Sequence, residues 1–342
     1  MSRSRSAIAI DIGDRAVRLL QLERRGGTLR VRAAAAEALE PAATPPDANA
    51  RRAQVVEAAR RALRRGGFRG DSAVTALRLR DIATRHVRIA NDELERAGDI
   101  IAQKVQDPTS AATELAICPI PVAELFDQGE RKREFLCCIA RADAIRALIE
   151  TTEAIGLVPD AVDLEPCALV RPFVRCSPGD SFLHLDIGDS DTRITVVRAG
   201  NPILMRIVRT GAADLSDLLR ERLQIDVDRI LEPADADTAS SLHYAIVGAL
   251  AAPLERLLVR VTDGVRYCGA LFQGRAVNLM RVSGRPARWP GLVAYLGRRA
   301  GITTERAEPF AGIEPPPSVG NGEATLAGFD TALGLALRSV AS

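Results

Sequence analysis

Asp11 and Asp186 each begin the same tetrapeptide, Asp-Ile-Gly-Asp, which stands at residues 11–14 and again at 186–189. An aspartate at the end of a strand can hold a hydrated Mg²⁺ through its carboxylate. The glycine two residues on, Gly13 or Gly188, lets the backbone approach a ligand and aim successive N–H groups at it, which suits a phosphate. Two such loops facing each other across a cleft would clamp the β- and γ-phosphates of a nucleotide. Small hydroxyl residues after the glycine would add hydrogen bonds. A four-residue match says little alone; the flanking elements decide what it means.

Those elements repeat as well. Ser6–Ile12 and Val17–Glu23 read as strands, Arg25-Gly26-Gly27 as a turn, and Leu29–Ala35 as a third strand. In the second half the strands are Phe182–Ile187, Thr192–Arg198 and Ile203–Val208, with the turn at Ala199-Gly200-Asn201. A helix pattern follows each set. Val55, Val56, Ala59 and Leu63 share a face, with Gly66 as the stop; Leu215, Leu218, Leu219 and Leu223 share another. The chain therefore reads as an internal duplication of a βββα unit.

Between the halves, residues 71–155 read as a small α+β insertion. Its strands fall within Asp71–Ala90 and Glu114–Ala140, around a helix Asp92–Val105 with Asn91 as N-cap. Ala142–Ile155 is a second helix stopped by Gly156. Later, Ser240–Gln273 reads as a long helix that Pro253 kinks or divides. Residues 315–322 read as an exposed loop, and Thr325–Ser339 as a closing helix.

Composition narrows the classes. The 342 residues suffice for two or more cores, and 46 basic side chains nearly balance 44 acidic ones, so no nucleic-acid partner is expected. The arginine clusters Arg60-Arg61, Arg64-Arg65 and Arg298-Arg299 lie in helical patterns and read as solvated faces. No run of about 18 apolar residues occurs, so no bilayer-spanning helix is expected. The opening MSRSRSAIAIDIG is too short and too soon acidic for a signal peptide. Six cysteines without a CxxC, and three histidines, offer no zinc spacing; the thiols read as buried and free. His86, His184 and His243 read as structural, and no residue is assigned a catalytic role.

Five ordered segments carry a family likeness: IDIGDRAVRLLQLERRGG, EAIGLVPDAVDLEPCALVR, LDIGDSDTRITVVRAGNPILMRIVRTGAADLSDLL, VSGRPARWPGLVAYLGRRAGITTERAEPFAGI and TALGLALRS. Through them the chain resembles the actin-like ATPase superfamily and, within it, PilM-like type IV pilus assembly proteins. The resemblance implies an α/β, ribonuclease H-like duplicated fold with two lobes and a 1C-type insertion. Lobe I would be residues 1–178, lobe II 179–322, with a C-terminal helix in 323–342 packing back on lobe I. It implies a cytoplasmic adaptor held at the inner membrane through partners, and the chain's end, LALRSVAS, carries no amphipathic membrane helix. Those partners are the N-terminal segment of a PilN-like membrane protein and pilus motor or alignment-complex proteins. It implies ATP and Mg²⁺ as ligands, with Asp11, Gly13, Asp186, Gly188, Thr192 and Gly284 in the phosphate and adenosine loops, and Asp11 and Asp186 on the metal.

The loops depart from that family pattern. Asp14-Arg15-Ala16 stands where small hydroxyls are usual, and Arg18 where lysine is usual. A carboxylate there would meet a phosphate at a cost of about 1 kcal/mol at 4 Å even in a water-like dielectric. Asp189 and Asp191 add acids to the second loop. Arg285 and Pro286 follow the single glycine, Gly284, of the third. The expectation is a PilM-like scaffold with weakened or lost nucleotide binding. The alternatives are an ATP-binding switch or slow ATPase, and a sugar kinase or FtsA-like filament former.

Overall fold

A computed structural model describes residues 4–40, 47–105, 114–127, 129–225, 236–272, 277–316 and 326–340. The first half builds β1 (Ser4–Arg5), β2 (Ile8–Ile12), β3 (Ala16–Arg25), β4 (Thr28–Ala38), α1 (Ala48–Gly66) and β5 (Ser72–Leu77). Next come β6 (Ile82–Ala90), α2 (Ala97–Val105), β7 (Leu115–Asp127), β8 (Glu130–Arg141), α3 (Ala142–Ile155), β9 (Val158–Leu164) and α4 (Glu165–Cys176). The second half builds β10 (Phe182–Ile187), β11 (Thr192–Arg198), β12 (Asn201–Val208), α5 (Ala212–Leu223) and α6 (Ala236–Leu271). It ends with β13 (Leu279–Ser283), α7 (Leu292–Ala300), β14 (Thr303–Arg306) and α8 (Asp330–Val340).

The duplication extends to sheet order. In the first sheet β4-β3-β2-β5-β9 are neighbours, with β1 also on β3; in the second the order is β12-β11-β10-β13-β14. In both, the strand bearing the aspartate pairs antiparallel with its hairpin partner and parallel with the next strand in. The register carries Asp11 opposite Arg18 and Asp186 opposite Arg193. The repeat is thus Asp-Ile-Gly-Asp plus an arginine seven residues after the first aspartate.

Alternation explains why both sheet faces are covered. Ile8 and Ile10 bury against Val55, Ala58, Ala59 and Ala62 of α1. Ala7, Ala9, Leu20 and Leu22 bury on the opposite side with Leu333, Ala336 and Leu337 of α8. Gly334 lets α8 cross α4 closely, since a Cβ there would collide with the Ala168 carbonyl. In the second lobe Leu183, Leu185, Ile194 and Val196 pack with Leu250, Leu254, Leu257 and Val261 of α6.

Several expectations are corrected. Gly66 is the last residue of α1, and Gly67, at φ 67°, is its left-handed cap. Asn91 opens a 3₁₀ turn over Asn91–Arg96 rather than capping α2. β5 pairs with β2 and β9, so the separate three-stranded sheet β6-β8-β7 spans only residues 82–141, narrower than the 71–155 read from the sequence. Pro253 does not divide α6, which runs unbroken from Ala236 to Leu271. Gln273, Thr325 and residues 317–322 lie outside the described residues. Cys118 and Cys176 are exposed, not buried.

Within α6, an 18-residue window of Ser241–Leu271 reaches a mean hydropathy of 1.4, enough for a membrane span by length and composition alone. Only 39% of that window is buried, and its inward residues, Ile246, Leu250, Leu254 and Leu257 among them, are core of the second lobe.

Candidate functional site

Both loops end their strands at the junction of the two lobes. The first is a tight turn closed by the Gly13 N–H donating to the Ala16 carbonyl. Arg51 of α1 holds it from behind, donating to the carbonyls of Gly13 (3.2 Å) and Asp14 (2.6 Å). The second is anchored by α5, whose Ala212 and Ala213 amides donate to the carbonyls of Gly188 (2.7 Å) and Asp189 (3.0 Å).

The aspartates in the fourth position of each motif are ion-pair partners. Asp14 accepts from Arg78 at 2.7 Å, Arg80 at 2.8 Å and the Ser190 hydroxyl at 2.5 Å. Burial alone would raise its pKa, but Ser190, Arg78 and Arg80 outweigh that and hold the carboxyl far below its usual range. Arg15 is exposed but reaches across to Asp189 at 2.6 Å. Arg80 bridges Asp14 and Asp191, each at 2.8 Å. At the loop junction, four contacts among the described residues tie first-lobe side chains to second-lobe ones: Asp14–Ser190, Arg15–Asp189, Arg80–Asp191 and Glu165–Arg193.

Arg193 is the centre of the deeper cluster. Its guanidinium lies 2.6 Å from Asp186, 3.9 Å from Asp191, and donates to Glu165, the first residue of α4. Only 14% of its side chain is exposed. Asp186 also accepts from Ser283 at 2.6 Å. Burial pushes Asp186 up, but Arg193, His184 and Ser283 outweigh it and its pKa is lowered. His184 sits 3.0 Å from the Ser283 hydroxyl, and burial drives its pKa down to about 4.

The residues read from the sequence gather here, each with its own contacts. Among the described residues, the one ion-pair partner of the Asp11 carboxylate is Arg18, at 3.8 Å. Gly188 lies beneath Arg193: a Cβ there would strike the guanidinium. Thr192 is buried and spends its hydroxyl on the Thr210 carbonyl at 2.7 Å. Gly284, at φ 87°, is required by close packing, because a Cβ would strike the Ile187 carbonyl. Arg285 donates to the Ser216 hydroxyl at 3.1 Å. The pocket lined by Asp11, Arg78, Glu165 and Thr331 encloses about 10 Å³, room for one water and not for a triphosphate. As arranged, the Arg193 guanidinium occupies the space between Asp186 and Glu165.

Glu165, Arg78, Arg80 and Arg193 were not singled out in the sequence. For Arg193 a signal existed, since both motifs place arginine at the same offset, DIGDRAVR and DIGDSDTR. For Arg78 and Arg80 there was none, because their partners are remote in the chain.

Twin strand-turn-strand units of matching sheet order, with paired loops at their junction, define a protein of the actin-like ATPase fold. The family model described as type IV pilus assembly protein PilM matches residues 9–340. The chain belongs to that family. A solved chain of a "PilM-PilN type IV pilus biogenesis complex" is similar, with 21% identity, 98% of each chain covered and a TM-score of 0.75. The ethanolamine utilization protein EutJ from Carboxydothermus hydrogenoformans is similar at 16% identity, covering 98% of this chain and 90% of that one, with a TM-score of 0.53.

Proposed function

We propose that this chain is a scaffold of a type IV pilus or type II secretion-like inner-membrane assembly, and that it docks the cytoplasmic N-terminal segment of a PilN-like membrane protein. In this reading it is cytoplasmic, reaches the membrane through partners, and also meets motor or alignment-complex proteins. The observation that carries the reading is Arg193 seated on Asp186 and Glu165 beneath the cross-lobe ion pairs. A protein cation stands where a nucleotide site needs a metal, so nucleotide binding is weakened or lost and the lobes keep one arrangement. Family membership supports the pilus-assembly role. The likeness to a chain from a PilM–PilN complex supports the partner.

One observation favours the alternative, an ATP-responsive switch. Asp11 keeps only a 3.8 Å contact, so one of the two aspartates is not committed to a close partner. Two titrations of the purified protein separate the readings. A peptide of the PilN-like segment is expected to bind saturably, and millimolar Mg-ATP to give neither heat nor a thermal shift. Absence of peptide binding removes the scaffold reading; a nucleotide-dependent shift in melting temperature establishes the switch.

A further inference from the structure

A pocket much roomier than the one beside Asp11 lies away from the loop junction, where the small sheet β6-β8-β7 meets α6. It encloses about 470 Å³, within the range of ligand-binding clefts. Four consecutive residues of β6, Arg85 to Arg88, form one wall; Lys104 of α2 and Tyr267 of α6 flank them, with Glu134 of β8 on the floor.

β6 is an edge strand: β8 pairs with it on one side, and no described strand pairs on the other. The register shows which groups face outward. The Ala142 N–H donates to Glu114, so even-numbered residues of β8 face β7 and odd-numbered ones face β6. With Cys137 opposite Arg85 and Phe135 opposite Val87, the N–H and C=O groups of Thr84, His86 and Arg88 point to the open edge. The Lys104 ammonium donates to the Arg88 carbonyl at 3.0 Å, as that register requires.

The floor is a built polar site. Glu134 is buried, its side chain 1% exposed. It accepts from the Tyr267 hydroxyl at 2.6 Å and Arg88 Nε at 3.0 Å, and lies 2.8 Å from His86 Nδ1. Its oxygens are therefore engaged from three sides, with the Arg88 guanidinium as the fixed cation. The rim is different. Arg85 donates to the Lys104 carbonyl and Lys104 to the Arg88 carbonyl, and neither has a carboxylate within ion-pair distance among the described residues. Most other arginines at the loop junction and along α1 do have one.

An open strand edge is an invitation to pair, and fixed charge decides with what. The cations of the rim repel a second copy of the same edge and attract a strand of opposite sign. We propose that this groove is a second docking site, distinct from the loop junction, which takes an extended, acidic peptide segment of a partner as an added strand on β6. The backbone of that strand pairs with the outward groups at His86, and its carboxylates meet Arg85 and Lys104.

The test is fluorescence polarisation on the full chain. The probes are a labelled peptide of alternating Glu and Val, its Lys-for-Glu counterpart, and the Glu-Val peptide N-methylated at alternate residues. Inorganic phosphate and free glutamate serve as competitors. The expected result is saturable binding of the Glu-Val peptide only, weakened at least tenfold by R85E/K104E. Both positions are exposed, and circular dichroism and melting temperature check that this variant folds. Retained binding by the N-methylated peptide, or its displacement by glutamate or phosphate at matched charge, overturns strand addition in favour of a simple anion site. No binding at millimolar peptide, or binding unchanged in R85E/K104E, overturns the proposal outright. A PilN-like peptide that binds R85E/K104E as well as the unsubstituted protein leaves the scaffold reading standing whatever happens here.

Discussion

The first and second loops share a motif, a register and a cross-strand arginine, yet their charges are arranged in opposite ways. In the second, Arg193 closes on Asp186 at 2.6 Å and also engages Glu165. In the first, Arg18 stays 3.8 Å from Asp11 and leans over Gly13 and Gly328. The pKa of each aspartate shifts accordingly. Asp186 is lowered because opposite charge outweighs burial; Asp11 is raised to about 6 because burial outweighs its distant arginine. A duplicated sequence thus gives one neutralised and one uncommitted carboxylate. The difference lies in what packs around each hairpin, namely α4 and its Glu165 against the second loop.

Removing the central cation breaks the comparison hardest. Arg193→Met strands Asp186 and Glu165 without their partner and is expected to cost about 3–5 kcal/mol, read by urea unfolding. Arg18→Met, the equivalent change in the first loop, is expected to cost under about 1 kcal/mol. Equal losses would mean that the two arginines do the same work. Asp14→Ala removes the acceptor of Arg78, Arg80 and Ser190. It is expected to cost about 2 kcal/mol in the same measurement and to make the connection between the lobes easier to cleave by limited proteolysis.

The pH dependence separates the two aspartates by sign. Asp11, raised from 3.8 to about 6, is fully compatible with the fold below pH 3.8, and that contribution is lost as pH rises through about 6. Asp11→Asn should therefore raise the melting temperature at pH 8 and leave it near unchanged at pH 4, an effect of order 1 kcal/mol. For Asp186 the sign reverses: its lowered pKa gives stability above the ordinary carboxylate range that is lost on acidification. Asp186→Asn should be destabilising at pH 8. The smallest effect belongs to the exposed pair: Asp189→Asn separates it from Arg15, whose side chain is 62% exposed, and should cost under about 1 kcal/mol, less at high salt.

Much of the scaffold was legible in the residues. Phe182–Ile187, Thr192–Arg198 and Ala142–Ile155 form the elements expected, with the expected bounds. Their signals are local: alternation, a helical stripe, and a glycine such as Gly156 at φ 100°. The misses were equally local in cause. Asn91 is a good cap residue, but the chain between β6 and α2 tightens into a 3₁₀ turn before the helix begins. Ser72–Leu77 is a plain strand, and only its pairing with β2 and β9 assigns it to the first sheet. Asp14 read as a charge set against phosphate; nothing within a few residues of it announced Arg78 and Arg80.

The sequence by itself determined the duplication, the hairpins and the presence of aspartate and glycine at each turn, because those depend on side-chain period and on backbone freedom within a few residues. Only the tertiary structure decided what the aspartates touch. Ion pairs between Arg80 and Asp191, or Arg193 and Glu165, form across lobes whose packing is set by hydrophobic contacts far from either residue. A charge finds its partner through the geometry those cores impose, and at these distances an ångström separates a paired carboxylate such as Asp186 from an uncommitted one such as Asp11.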